Sequence, residues 1–262
     1  MKHIPRKRFG QHFLTDQAVI ADIVAAIRPQ PGDAMVEIGP GLEALTAPLA
    51  AVLRHLHVIE IDRDIVERLR HAYPLERLTV HAGDVLEFDF SVLPCELRVV
   101  GNLPYNISTP LLFHLARYAE RIRDMHFMLQ KEVVERMVAS PGGRDYGRLS
   151  VMLQYRFDME LLLGVAPGAF SPPPQVESAV VRMLPRPQAE LKAANATVLE
   201  QVVRRAFAQR RKTLRNSLAG LLAAGDYATL GIAPGLRAEN LAVADFVAIS
   251  NYLVNKENST TR

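Results

Sequence analysis

The sequence predicts an α/β protein: a doubly wound, mostly parallel sheet followed by a small all-helical domain. Three observations predict it. Short apolar runs at 34–38, 57–61, 78–81 and 97–100 alternate with stretches of helical periodicity, which is the rhythm of βαβ units. Each run leads into a glycine, an acid or an Asn. The strand ends at Gly39 and Gly41, Glu60, Asp84 and Asn102 therefore fall along one edge of the sheet, where open α/β sheets bind ligands. At Pro185-Arg186-Pro187 the rhythm stops, and 191–262 reads as helical with Gly225, Gly231, Pro234 and Gly235 as punctuation. Two domains are expected, 1–185 with an N-terminal arm and the sheet, and 186–262.

Composition supports a folded core and excludes several classes. Of the 262 residues 49% are hydrophobic, ample for a core and against disorder. The single cysteine, Cys95, rules out an intrachain disulfide and suits a reducing compartment. No apolar run approaches the length needed to cross a membrane. The basic N-terminus (Lys2, Arg6, Lys7, Arg8) leads into a segment broken by Asp16, Gln17 and Asp22, unlike a signal peptide, and these acids come early for a mitochondrial presequence. The net charge of +3 is modest, but its positive residues cluster at 2–8 and 204–215.

Taken in order, a helix begins near Thr15 or Asp16, both good caps, and Val19, Ile20, Ile23, Val24 and Ile27 give it one apolar face. The run 34–38 enters Glu37-Ile38-Gly39-Pro40-Gly41, and 42–53 looks helical. Strand, glycine turn and helix is the arrangement in which backbone N–H groups meet a ligand, although two glycines also make an ordinary tight turn. Glu60 lies roughly 20 residues beyond that turn, the spacing at which a carboxylate meets ribose hydroxyls. Glu60 and Asp62 equally suit the polar start of the helix at 63–71. Asp84 after Gly83 could meet an adenine edge or cap a turn.

The segment 99–105, VVGNLPY, is the most informative. A buried strand runs into a loop where Asn102 offers a side-chain amide, Pro104 stiffens the backbone, and Tyr105 supplies a flat ring. The carbonyl of Pro104 is expected to be free to accept a hydrogen bond. An amide oxygen, a free carbonyl and a ring suit the exocyclic amine of a flat heterocycle; an ordinary strand-to-helix turn has the same residue types. Ser108-Thr109-Pro110 caps the next helix, with Pro110 at its first position. A strand is expected at 125–129, a mobile loop at 141–147 (PGGRDYG), and closing strands at 151–157 and 179–184. Between them Phe170, stiffened by Pro172, Pro173 and Pro174, either packs or pairs with Tyr105 across a base.

In the C-terminal part Leu199, Val202, Val203, Ala206 and Phe207 mark a buried helix face. Arg204, Arg211 and Arg215 fall within about 20° of one another if that helix runs unbroken, with Arg205 and Lys212 alongside. Such charges either form a solvated face or, being of one sign, a phosphate-binding stripe.

KRFGQHFL (7–14), EIGPG (37–41), VIEIDRD (58–64), the GD ending in Asp84, GNLPYNIS (101–108), FSPPPQVESAVV (170–181) and RRAFAQRRKTLRNSL (204–218) together resemble the small-subunit ribosomal RNA adenine dimethyltransferases of the KsgA/Dim type. The matches span nearly the whole chain. The resemblance implies a Rossmann-like methyltransferase domain with a small helical C-terminal domain. It implies two methyl groups placed on N6 of each of two adjacent adenines near the 3′ end of small-subunit rRNA. S-adenosyl-L-methionine is the implied donor, with no metal.

Carried over by position, His12 and Leu14 touch the methionine part of the cofactor, and Gly39 and Gly41 let the backbone approach it. Glu60 holds the ribose hydroxyls and Asp84 the adenine amine. Asn102 sits between cofactor and target base; with the carbonyl of Pro104 it orients the target N6, and Tyr105 and Phe170 sandwich the adenine. Arg204, Arg205, Arg211, Lys212 and Arg215 contact rRNA. The implied partner is small-subunit rRNA in an immature 30S-type particle, bound by a cytoplasmic monomer.

Two positions depart from the family pattern. His12 stands where Asn is frequent, and both side chains hydrogen-bond. Glu43 stands at the third position of the glycine motif, where a small residue is usual. There the helix N-terminus favours its charge, and the cofactor's own carboxylate opposes it.

Three other readings compete. A large-subunit rRNA adenine methylase of the antibiotic-resistance type shares the sheet and the catalytic loop, but FSPPPQVESAVV and the long basic segment favour the small-subunit reading. A DNA adenine methylase more usually has Asn/Asp-Pro-Pro-Tyr. An assembly checkpoint that mainly binds immature particles would make methylation secondary.

Overall fold

The computed structural model describes residues 12–209 and 211–260. The basic residues at 2–8 and the first part of the KRFGQHFL segment lie outside them. The chain divides into two compact units: residues up to Val134 with Asp158–Pro185, and Glu135–Phe157 with the chain from Arg186 on. The chain changes unit near the expected boundary at 186. Glu135–Phe157, placed by sequence in the first domain, belongs to the second unit.

In chain order the elements are β1 (Phe13–Leu14), α1 (Gln17–Ile27), β2 (Met35–Ile38), α2 (Thr46–Val52), β3 (Leu56–Glu60), α3 (Arg63–Ala72), β4 (Leu78–Ala82), β5 (Leu97–Asn102), α4 (Ser108–Ala116), β6 (Ile122–Gln130), α5 (Lys131–Val138), α6 (Arg148–Arg156), β7 (Phe157–Val165), β8 (Phe170–Ser171), β9 (Ser178–Pro185), α7 (Ala196–Ala206), α8 (Leu214–Ser217), α9 (Ala224–Leu230) and α10 (Val243–Thr260).

The first unit is built on a seven-stranded sheet of order β4-β3-β2-β5-β6-β9-β7. Strands β2 to β6 are parallel, and β9 runs antiparallel to β6. From β2 the chain winds outward through β3 and β4, then crosses back to β5 on the other side. The winding therefore reverses between β2 and β5, the point at which such sheets hold ligands. Every residue of β2, and β5 up to Gly101, is buried, as expected of parallel strands covered on both faces. Gly101 has a steric reason: a Cβ there would stand 2.5 Å from the Ile38 carbonyl oxygen. A small antiparallel pair, β1 with β8, sets Leu14 opposite Phe170 and Phe13 opposite Ser171.

Caps explain several boundaries. The Asp16 carboxylate accepts from the N–H groups of Ala18 and Val19 and starts α1. Asp62 does the same for α3 through the Asp64 N–H. Helix α4 departs from expectation. Ile107 occupies its cap position without a side-chain bond, and Ser108 is already inside the helix.

The second unit packs Tyr146, Val151 and Tyr155 into one core with Leu199, Val202, Leu214, Phe246 and Ile249. Two sequence expectations fail here. Residues 151–157 read as a strand, yet Arg148–Arg156 is helix α6, held by tertiary packing, and the strand begins at Phe157. The loop expected to be mobile is tied: the Gly142 N–H donates to the Glu239 carbonyl at 2.6 Å, and Tyr146 is fully buried.

Candidate active site

The ends of β2, β3, β4 and β5 open onto one cleft. His12, Leu14, Gly39, Gly41, Glu60, Asp84, Asn102, Pro104 and Tyr105, drawn from five separate stretches of sequence, all line it. The turn after β2 is shaped for close approach. Gly39 and Gly41 have φ of 67° and 53°, and a Cβ on Gly41 would lie 3.1 Å from the Phe13 ring. Glu60, nearly buried at the end of β3, accepts the Asp62 N–H at 2.8 Å. Burial raises its pKa, opposed by backbone N–H groups that include that of Gly41. Asp84 is exposed and binds the Leu86 N–H through one oxygen, which leaves the other for a ligand. A glycine cradle, a carboxylate at each of two successive strand ends and an apolar wall at Leu14 fit S-adenosylmethionine. Among the described residues, no group of three or more His, Cys, Asp or Glu side chains is arranged to hold a metal ion.

Glu43 is turned away from this cleft. Its φ of 69° is a strained value for a residue with a side chain. Its carboxylate is bound by Arg68 at 2.6 Å and by the Tyr73 hydroxyl at 3.0 Å. The carboxylate that would oppose the cofactor's own is thus paired with Arg68 and Tyr73.

The loop after β5 carries the chemistry. The Asn102 Nδ2 donates to the His12 carbonyl at 3.0 Å. That bond fixes which end of the amide is which, and Oδ1 is left without a partner among the described residues. The expectation of a free Pro104 carbonyl fails. It accepts both the Ile107 N–H at 3.2 Å and the Ser108 hydroxyl at 3.1 Å, because the chain turns there into α4. The neighbouring Leu103 carbonyl, also on the cleft, has no partner among the described residues.

The aromatic sandwich also needs correction. Phe170 is 4% exposed and packs in the core cluster with Leu14, since its pairing to β1 turns it inward. The ring that meets Tyr105 is His12, stacked at 5.8 Å between centroids and 25° between planes. His12 is itself anchored by a contact of 2.9 Å between Nδ1 and the Pro172 carbonyl.

Sequence reasoning missed Glu37 as a site residue. It lines the cleft yet is only 2% exposed, and it accepts the Thr46 hydroxyl at 2.7 Å. Burial, helped by nearby Glu60 and Glu43, pushes its pKa up to about 8 against the Thr46 bond. An acid in an otherwise apolar strand was the signal. Because the folded state holds this proton above the unfolded value of 4.5, stability is greatest below pH 4.5 on this account and declines as pH rises toward 8. Glu37→Gln, which keeps an oxygen for Thr46, is expected to remove that decline and to stabilise the protein at pH 8 by a few kcal/mol. Urea denaturation of both forms at pH 5 and pH 8 measures it; equal slopes would exclude the effect.

The five basic residues all lie in the second unit and all are exposed, but not on one unbroken helix. Helix α7 ends at Ala206, and Arg215 lies on the separate α8. Arg204 and Arg205 are in the last turn of α7, and Arg205 donates to the Ala219 carbonyl at 2.8 Å. The stripe expected from a continuous 3.6-residue period is therefore broken into two segments.

A profile described as "Ribosomal RNA adenine dimethylase" matches residues 2–255. Proteins called "Ribosomal RNA small subunit methyltransferase A" are similar. The one from Chromobacterium violaceum is 64% identical over 256 residues, covering 97% of this chain and 98% of that one. The one from Thiobacillus denitrificans is 64% identical over 254 residues, covering 97% and 100%. The crystal structure of a dimethyladenosine transferase from Plasmodium falciparum shares the fold, with a TM-score of 0.80 at 23% identity over 95% of this chain and 98% of that one. That of the 23S rRNA methyltransferase ErmE has a TM-score of 0.71 at 25% identity, over 92% and 99%. With the profile matched from end to end and relatives at this identity over almost the full length, the chain belongs to the ribosomal RNA adenine dimethylase family.

Proposed function

We propose that this protein dimethylates N6 of two adjacent adenosines near the 3′ end of small-subunit rRNA, acting as a cytoplasmic monomer on an immature small subunit. The observation that carries the reading is the loop after β5: Asn102 and Leu103, consecutive residues that line the cleft, have an amide oxygen and a carbonyl without a partner among the described residues. Family membership and relatives named for the small subunit support it over a large-subunit target.

When bound, S-adenosylmethionine supplies an electrophilic methyl group. Glu60 would hold its ribose and Asp84 its adenine edge, and the Gly39–Gly41 turn would let the backbone approach it. The target amine is a poor nucleophile because its lone pair is delocalised into the ring. Accepting its two N–H groups on Asn102 Oδ1 and the Leu103 carbonyl favours a pyramidal nitrogen with its lone pair directed out of the ring plane, an orientation effect. The carbonyl dipoles also stabilise the positive charge that develops on nitrogen. As the N–C bond forms, the donor's S–CH3 bond would break and its electron pair would leave with S-adenosylhomocysteine; the ammonium then gives its proton to water, so no strong base is required. Extruding the base costs a few kcal/mol, which stacking on Tyr105 offsets. Arg204, Arg205, Arg211, Lys212 and Arg215 contact phosphates.

Mass spectrometry of rRNA from unmethylated ribosomal subunits, incubated with the protein and S-adenosylmethionine, tests the reading. The expected product is dimethyladenosine at two adjacent positions of small-subunit rRNA; dimethylation only of large-subunit rRNA would overturn it.

A further inference from the structure

The phenol oxygen of Tyr105 lies 2.7 Å from Ser178 Oγ. Ser178 is 1% exposed and opens β9, where it pairs with Gln130 of β6. The preceding residue is fixed as well. The Glu177 carbonyl accepts the Lys131 N–H at 3.0 Å, and its carboxylate meets Lys131 Nζ at 2.6 Å. At the other end of Tyr105, the buried Ser108 hydroxyl lies 3.2 Å from the Tyr105 carbonyl. The ring is thus held at its backbone and at its tip, with its face on the cleft beside His12.

A Tyr ring turns about two side-chain torsions, and its usefulness as a stacking platform depends on both. A hydrogen bond at the phenol oxygen to a rigid strand residue fixes both torsions before any base arrives, so less freedom is lost on binding. The FSPPPQVES segment thereby reaches the catalytic loop through its final serine hydroxyl, whereas its Phe170 ring is in the core.

We infer that Ser178 is a positioning residue for methyl transfer, holding the Tyr105 ring in the plane on which the target adenine stacks. The inference rests on the proposed role of Tyr105. Ser178→Ala, Tyr105→Phe and the double variant are compared with the wild-type protein on unmethylated small ribosomal subunits, reading kcat, KM for the particle and Kd for S-adenosylmethionine. Each single substitution removes the same bond, so each is expected to lower kcat/KM roughly fivefold, the worth of one hydrogen bond. Cofactor Kd should stay unchanged, and the double variant should be no slower than either single one. A serine that acts only as interior structure would instead lower the melting temperature and leave kcat alone.

The inference is overturned if Ser178→Ala transfers methyl as fast as wild type, if Tyr105→Phe is silent, or if the two losses multiply. Tyr105→Phe changes one atom of a half-buried side chain, so it decides the matter even where Ser178→Ala does not fold. A Tyr105→Ala protein that is inactive, beside fully active Ser178→Ala and Tyr105→Phe, would overturn the inference and leave the proposed reaction standing. A wild-type protein that transfers no methyl group would overturn both.

Discussion

Methyl transfer by an Asn102→Ala variant is expected to fall by about 10²–10³-fold, the usual cost of removing one preorganised polar group at a transition state. Cofactor and rRNA affinities should change little. Asn102 has two functions at opposite ends of one amide. Its Nδ2 holds the His12 carbonyl at 3.0 Å, which ties the start of β1 to the end of β5. Its Oδ1 has no partner among the described residues and stands on the cleft. Alanine removes both. Asn102→Asp keeps an oxygen where the target N–H is accepted but loses the donor to His12, and should retain more activity than alanine. Single-turnover transfer from radiolabelled S-adenosylmethionine to small-subunit particles measures the rate, and filter binding measures rRNA affinity. An alanine variant as fast as wild type would remove Asn102 from the mechanism.

The parallel sheet was legible because its strands are short apolar runs, each closed by a residue with a distinct use. The cofactor side of the cleft was legible for the same reason: Gly39, Gly41, Glu60 and Asp84 each lie at or just past the end of a strand, so topology alone brings them together. What could not be read depended on contacts between distant segments. The run from Val151 to Phe157 was read as a strand, but packing against α7 made it a helix up to Arg156. Phe170 follows the right motif, yet its register against Leu14 turns it into the core. Which carbonyl in Asn-Leu-Pro-Tyr stays free depends on where the next helix begins. That start was misplaced by two residues: Ser108 holds the first helical position expected for Pro110, and its hydroxyl bonds carbonyls behind it instead of capping. The basic stripe failed on an assumed continuity that ends at Ala206.

The largest effect on stability should come from Arg98→Ala, far along the strand from Asn102. Arg98 is 3% exposed at the start of β5. Its guanidinium meets Asp124 through Nε at 2.9 Å and Nη2 at 2.9 Å, Asp33 through Nη1 at 2.7 Å, and the Ile27 carbonyl at the end of α1 at 2.6 Å. One cation thus compensates two carboxylates and an orphan helix-end carbonyl. Burial pushes the Asp33 carboxyl up, but the bonds from Arg98 and the Gln30 N–H hold its pKa below the usual value. The stability gained through Asp33 is therefore present above pH 3.8 and is lost as pH falls below it.

Removing the cation strands the Asp124 carboxylate in a largely buried site and leaves Asp33 with Arg123 and the Gln30 N–H, at an expected cost of about 3–5 kcal/mol. Removing the charges together should cost less: Arg98→Met with Asp124→Leu leaves only Asp33, which keeps its contact with Arg123 at 3.1 Å. Urea unfolding of the two variants at pH 7 measures this. A double variant as unstable as Arg98→Ala would mean that lost packing, and not the unpaired Asp124 charge, dominates the cost.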